Sequence, residues 1–429
     1  MHLKDFLAPN QLFALLAKGM DGLKIIAINI LIARFYGPEV YGKFAYVLGV
    51  VSLVAIIAEF RLQSILTREL SLSDRGGLPR LLGAALYINI MFAILGSTLF
   101  LIYGVFETDT EVALAALICS LGYFFKITRF FRAWFISRER NVYVAISEFI
   151  ASCLTVSIIL VAVLDDVNWE YLPILRSLDY LIVSVLFIFF FFKKFDISLS
   201  EIRFDLGVAK SLVVKSSPLV LSGVAMLLFQ RMDVLMIRGM MGDESVGFYS
   251  AASNFMMLFS LAPMVLSESL GPKLFKGSQN KDLSGRIKKK FVWGIMLLGL
   301  ILSICMYLLG VILIPVLYGE EYRGSLSAHL YLSFCPFMVA AGAAAGQLIV
   351  SDKTQNKAYI KSVFACGVNF LMNLLLIPVY GIAGAAIATL VGFLVANFIG
   401  HWFVSDYRYI FMMQARFFMP VSFKGKVNA

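Results

Sequence analysis

The stretch GPEVYGKFA at residues 37–45 returns, altered, as GDESVGFYS at residues 242–250, and this recurrence decides how the chain is organised. Gly37 aligns with Gly242, Glu39 with Glu244, Gly42 with Gly247 and Phe44 with Tyr249, at an offset of 205 residues. Each copy separates two apolar runs of about 20 residues, the length that crosses a bilayer as a helix. Working outward from these anchors, twelve such runs can be traced: 11–33, 43–60, 82–105, 112–135, 142–164, 174–192, 212–237, 248–270, 291–314, 327–350, 359–378 and 382–404. The expected fold is an all-α integral membrane protein of twelve transmembrane helices in two six-helix lobes. Residues 1–200 would form the first lobe, 201–404 the second, and 405–429 a cytoplasmic tail. Two parallel repeats related by an axis along the membrane normal place a ligand site between the lobes.

Composition agrees. Of 429 residues, 60% are apolar or aromatic and 15% charged, and mean hydropathy is +0.86. A soluble domain carries about 25% charged residues, so this chain could not cover a water-facing surface. That excludes an ordinary cytosolic enzyme, a secreted disulfide scaffold and a disordered chain. Five cysteines stand singly in apolar runs with no CxxC pair, which argues against disulfides and zinc. No phosphate-binding GxxxxGK[ST] loop, HExxH or GxSxG occurs.

The net charge of +10 is distributed by topology. With both termini on one side, the loops of that side hold 28 of the 37 Lys and Arg, and the opposite side holds only Arg34, Lys43, Arg176, Arg238 and Arg323. Positive residues stay cytoplasmic, so both termini are expected in the cytoplasm, and a nucleic-acid partner is not. The tail mixes aromatic and basic residues and is expected along the inner leaflet.

Ionisable residues inside spans cost roughly 2.5–3.5 kcal/mol each at mid-helix and mark function by default. Glu59 and Glu268 lie near helix ends, and Asp179 stands one turn from Arg176, where a local pair at the outer rim is expected. The first helix is different: Lys18, Asp21 and Lys24 at i, i+3, i+6 spread over about 120° of one face. The fourth helix carries Lys126, Arg129 and Arg132, with Lys126 roughly 15 Å from the inner end. The seventh carries Arg231 and Asp233. Lys18, Lys24, Lys126, Arg129 and Arg231 are the candidate residues for a hydrated cationic cavity that suits a polyanion. Asp21, Asp233 and Glu148 are the acids available for ion coupling or charge pairing. No cofactor is expected beyond a coupling H⁺ or Na⁺.

The segment IARFYGPEVYGKFAYVLGVVSLVAIIAEF at 32–60, followed by LTREL at 66–70, resembles the opening of Wzx-type O-antigen flippases. These belong to the polysaccharide-transport branch of the multidrug/oligosaccharidyl-lipid/polysaccharide exporter superfamily. NFLMNLLLIPVYGIAGAAIATLVGFLV at 369–395 resembles that family's penultimate pair of helices. The resemblance implies movement of an undecaprenyl-diphosphate-linked oligosaccharide across the bacterial inner membrane, from the cytoplasmic to the periplasmic face, by alternating access. It implies membrane lipids and other polysaccharide-assembly proteins as partners. It also implies that helices one, two, seven and eight line the path, which points to Lys18, Asp21, Lys24, Arg231 and Asp233.

Two other readings are open. A drug/cation antiporter of the same superfamily would want an acidic, aromatic-lined cavity, and here bases dominate the deep sites. An integral-membrane polysaccharide polymerase or glycosyltransferase could use Asp165 and Asp166, but their loop is only about nine residues long.

Overall fold

The structure, a computed structural model, describes residues 9–59, 62–73, 77–194, 203–277, 281–352 and 354–418. Regular structure among them is helical throughout. Among the described residues, eight helices are long and apolar enough to cross a membrane, and a ninth span arises if Glu320–Leu332 and Cys335–Ser351, bent by 46° at their junction, count as one. The three remaining expected spans, 11–33, 43–60 and 212–237, fall on the first and eighth helices.

The chain divides into two compact units. Unit one takes in the chain up to Asn254 together with Leu313–Ser325; unit two takes in Phe255–Ile312 and the chain from Leu326 onward. Unit one contains α1 (Pro9–Glu59), α2 (Leu62–Leu72), α3 (Leu78–Phe106), α4 (Thr110–Ser120), α5 (Phe130–Ser137), α6 (Asn141–Leu164), α7 (Leu172–Lys194), α8 (Leu206–Met241) and the start of α9 (Asp243–Gly277). Its packing is that of a protein solvated by lipid. Along α6 most buried positions are small or hydroxylated, among them Ser147, Ala151 and Thr155, while Phe149, Leu154 and Val161 face outward at 47–56% exposure. Small residues bring helices together where lipid removes any hydrophobic drive. An aromatic core of Phe131, Trp134, Phe135, Phe187 and Phe191 joins α5 to α7.

The recurrent motif has a structural counterpart. Helical backbone runs from Pro9 to Glu59 with one break, at Gly37 (φ 78°, ψ 175°). Gly242, between α8 and α9, has nearly the same conformation (φ 87°, ψ 178°). This region of backbone space is almost closed to residues with a Cβ, so both glycines are needed to turn the chain. Pro38 and Asp243 then start the next helices, as a proline at the first helical position and an acid at a helix N-terminus should. The second glycines of the motif complete a reciprocal contact. A Cβ on Gly42 would lie 1.8 Å from the Asp243 carbonyl oxygen, and one on Gly247 would lie 1.9 Å from that of Pro38. Each copy thus receives the other's first helical turn against bare backbone.

The expected span over 112–135 is present as one membrane-capable run, Thr110–Ser137, whose winding changes along it: α4, a nine-residue 3₁₀ stretch from Leu121 to Arg129, then α5. The change of winding begins where Ser120 turns its hydroxyl back to the Leu117 carbonyl (2.6 Å) and Gly122 lies against Ser177.

Unit two contains the rest of α9, then α10 (Lys281–Tyr318) up to Ile312, α11 (Leu326–Leu332), α12 (Cys335–Ser351), α13 (Ala358–Tyr380), α14 (Ile382–Leu394), α15 (Gly400–Phe403) and α16 (Arg408–Ala415). Alanines 340, 341, 344 and 345 of α12 are its buried seam. The last expected span, 382–404, is interrupted by a π-turn at Val395–Ile399. The loosened carbonyls find side-chain donors: Lys361 Nζ to Ala396 (3.0 Å) and Gln414 Nε2 to Asn397 (3.2 Å). Gln414 Oε1 also accepts from His401 Nδ1 (3.2 Å), and its Nε2 donates to the Ala341 carbonyl (3.0 Å). The start of the tail is therefore a helix folded onto unit two with Ile410 and Gln414 buried.

Candidate functional site

The candidate residues of unit one are organised by α7. Arg176, Asp179 and Tyr180 share one face of it at i, i+3 and i+4. Asp179 takes Lys24 of α1: Lys24 Nζ stands 2.8 Å from Asp179 Oδ2 and 2.6 Å from Asp21 Oδ1. The Lys24 and Asp179 side chains are 8% and 11% exposed and Asp21 is 54% exposed. Asp179 Oδ1 is buried and meets no hydrogen-bond partner. One ammonium between two carboxylates leaves this group formally one negative charge in excess. The expected local pairing of Asp179 with Arg176 is corrected here: the carboxylate reaches 155 residues back along the chain instead.

Tyr180 faces Lys126. The ammonium lies 4.6 Å from the Tyr180 ring centroid and 5.8 Å from that of Tyr123. The 3₁₀ winding explains the second contact, because three residues per turn eclipse positions 123 and 126. Aromatic faces hold a cation without neutralising it.

Arg231, on α8, has a buried Nε with no hydrogen-bond partner. Tyr41 accepts a 2.6 Å hydrogen bond from Asn254 Nδ2. Asp233, two residues on, is 3% exposed and accepts from the Tyr249 hydroxyl at 2.6 Å. Glu148 pairs with Arg132 (Oε1 to Nε, 2.8 Å). The side chains of Lys18 and Arg129 lie outside the described residues. Sequence spacing missed Asp179 and Tyr180 as partners of the candidate cations. The one available signal was that both fall on a single face of the sixth expected span.

A second charged group joins the two motif copies at the acidic end of unit one. Arg238, just before Gly242, bonds Glu107 (Nη1 to Oε2, 3.0 Å) and Asp243 (Nε to Oδ1, 2.9 Å), and its guanidinium lies 3.9 Å from the Tyr46 ring centroid. Lys43, just after Gly42, bonds Glu111 (2.7 Å) and Asp109 (3.4 Å). Asp109 also caps α4 by accepting from the backbone N–H groups of Glu111 and Val112. Burial alone would raise the Glu107 and Asp109 carboxyls. Hydrogen bonds from Tyr103 and Arg238 to Glu107, and from Val112, Glu111 and Lys43 to Asp109, outweigh it and hold both below the usual carboxylate range. A depressed carboxyl stabilises the fold above its unfolded pKa of about 4, and that contribution is lost as pH falls through the folded value. Thermal unfolding is therefore expected to be flat between pH 8 and 6 and to drop below about pH 4. Arg238→Gln should lower the neutral-pH Tm and shrink that acid drop, as differential scanning fluorimetry in detergent would show.

Fold and site define a multi-pass helical membrane protein with buried charge held between helices. Residues 9–278 match the family described as polysaccharide biosynthesis protein, and the chain belongs to that family. It is 21% identical over 391 residues to the capsular polysaccharide biosynthesis protein CapF of Staphylococcus aureus, covering 90% of this chain and 96% of that one. Among solved structures it is similar to an inward-facing multidrug-resistance MATE transporter of the MOP superfamily, with TM-score 0.77, 14% identity, and 92% and 94% of the two chains covered. It is also similar to the lipid II flippase MurJ in an inward closed conformation, with TM-score 0.71, 15% identity, and 95% and 91% covered. The chain therefore shares its fold with these two transporters.

Proposed function

We propose that this protein is a flippase that moves an undecaprenyl-diphosphate-linked oligosaccharide of the O-antigen repeat-unit type from the cytoplasmic to the periplasmic face of the bacterial inner membrane, by ion-coupled alternating access. The observation that carries the reading is cationic charge among apolar helices: the face of α7 holds Lys24 and Lys126 from two other segments, and Arg231 on α8 keeps a buried donor without a partner. Lys126 sits on aromatic rings and Arg231 has a donor to spare, so both can offer charge to a polyanionic headgroup while the lipid tail stays in the bilayer. Family membership and the MurJ-like fold support a lipid-linked cargo. The excess carboxylate beside Lys24 supports coupling. A proton or Na⁺ taken up by Asp179 or Asp21 would release the ammonium toward the headgroup, and its departure would restore the pair.

The test is translocation of a fluorescent undecaprenyl-diphosphate oligosaccharide in proteoliposomes. Lys126→Gln and Arg231→Gln should each lower the rate by about tenfold or more, since a charge-assisted hydrogen bond contributes ~1.5–3 kcal/mol. Dissipating the proton and sodium gradients should slow the wild type. Normal rates in both folded variants would remove the cationic headgroup site.

A further inference from the structure

Unit one also carries a groove of about 480 Å³, between α3 and the stretch where α4 passes into 3₁₀ winding. Its walls are Ile94 and Leu101 of α3, Leu117 of α4, and Leu121 and Phe124 of the 3₁₀ stretch. All five are exposed apolar side chains. They belong to the membrane-capable runs Leu78–Phe106 and Thr110–Ser137, so hydrocarbon rather than water faces them. The serine hydroxyls of the groove are already spent within the protein. Ser97 Oγ donates to the Ser120 carbonyl (2.7 Å) and Ser120 Oγ to the Leu117 carbonyl (2.6 Å). At one end α3 closes on α4, where a Cβ on Gly104 would stand 3.2 Å from Leu117 Cδ2. A polar ligand would lose its hydration here without compensation. A hydrocarbon chain suits the groove, and because lipid already surrounds the protein, packing decides which chain it takes: an unfilled groove forfeits the dispersion contacts of its lining.

The 3₁₀ stretch indicates the occupant. Three residues per turn put Leu121 and Phe124 on one stripe and Tyr123 and Lys126 on the next, about 120° round. Tyr123 fixes this orientation, since it is buried and donates its hydroxyl to the Val51 carbonyl of α1 at 2.9 Å. One element thus gives an apolar stripe to the groove and carries an ammonium on its flank. A phospholipid of the bilayer keeps its headgroup outside the hydrocarbon core. A molecule that uses both stripes has a charged head within the apolar layer and a hydrocarbon tail attached to it. We propose that the groove between α3 and α4 binds the polyprenyl tail of the lipid-linked substrate while its headgroup is inside the protein. The choice of occupant rests on the transport reading above; the groove and its hydrocarbon chemistry do not.

The experiment uses the full chain in nanodiscs of phosphatidylethanolamine and phosphatidylglycerol. One probe is undecaprenyl diphosphate, without sugar, carrying a diazirine on an isoprene unit near the head. The other is phosphatidylethanolamine with a diazirine on an acyl chain, at the same mole fraction. After illumination, labelled peptides are mapped by mass spectrometry. The polyprenyl probe should label residues 94–101 and 117–124 about fivefold or more above the phospholipid probe, and unlabelled undecaprenyl diphosphate should compete it away. Thr98→Trp, which fills the groove, should cut this labelling by about fivefold or more, because each lost contact is small but a tail makes many. Leu95→Trp, exposed on the same helix outside the groove, should leave it unchanged. Thr98→Trp should also slow translocation at an unaltered Tm. If that variant does not fold, the contrast between the two probes on the wild type carries the test. Equal labelling by both probes, labelling that unlabelled carrier does not displace, or equal losses in the two tryptophan variants overturns the proposal. If the polyprenyl probe fills the groove and Thr98→Trp expels it while the wild type translocates no lipid-linked oligosaccharide, the groove stands and the transport reading falls.

Discussion

Substitution of alanine for Gly42 or Gly247 is expected to cost about 3 kcal/mol or more of stability and to bring transport close to background, since even ordinary overpacking against movable side chains costs ~1–3 kcal/mol. The obstruction here is backbone: the added methyl would sit 1.8 Å from the Asp243 carbonyl oxygen in one case and 1.9 Å from that of Pro38 in the other. Neither carbonyl can rotate away without unwinding a first helical turn. The two contacts are reciprocal, so they measure the same separation. Once one methyl has forced the motif copies apart, the second meets less resistance, and the double variant should cost clearly less than the sum. Gly239→Ala, with nothing within 4 Å of the added methyl, serves as the helical control and should be neutral or slightly stabilising. Thermal unfolding of the four proteins decides the matter. Additive losses would show that the two glycines act independently.

The second large effect is expected at Lys24. Lys24→Met removes the cation bonded to Asp179, whose other oxygen lacks a partner among the described residues. Breaking a buried pair from one side typically costs about 3–5 kcal/mol, while removing both charges is far cheaper. Lys24→Met combined with Asp179→Asn should therefore recover most of the Tm lost by Lys24→Met alone. Under the coupling role proposed for this group, transport should not recover with it: the double variant should fold well and translocate at less than about a tenth of the wild-type rate. A double variant that is both stable and active would reduce the triad to scaffold.

Much of the fold was legible in the sequence because hydropathy and charge report on the bilayer directly. Nine of the twelve apolar runs fall on membrane-capable helices once the bent pair is counted as one, and the leading glycines of the motif, Gly37 and Gly242, share one backbone conformation. What the sequence could not convey is what lies across from what. Helical spacing sees neighbours three and four residues away, so it joined Asp179 to Arg176. The partner in the fold, Lys24, is set by how α7 packs against α1, and nothing in either segment alone encodes that. The same limit hid Tyr180 beneath Lys126. Departures from α-winding at Leu121–Arg129 and Val395–Ile399 were also illegible, because hydroxyl and carbonyl partners supplied by other helices sustain them. The Gln414 that engages the His401 ring and the Asn397 carbonyl comes from the tail, where it carries no signal of its own.

The nine residues from Leu121 to Arg129 behave mechanically like a stretched spring. At a rise of about 2.0 Å per residue they cover roughly 18 Å, against about 13.5 Å at the α-helical rise. Rewinding them would draw α5 toward α4 by some 4–5 Å and, at about 20° per residue, turn one end against the other by roughly half a revolution. Lys126, a little past the midpoint, would swing off the rings that cradle it. Rewinding of the segment bearing this charge would thus combine a stroke with a twist, sliding one helix while re-aiming one ammonium.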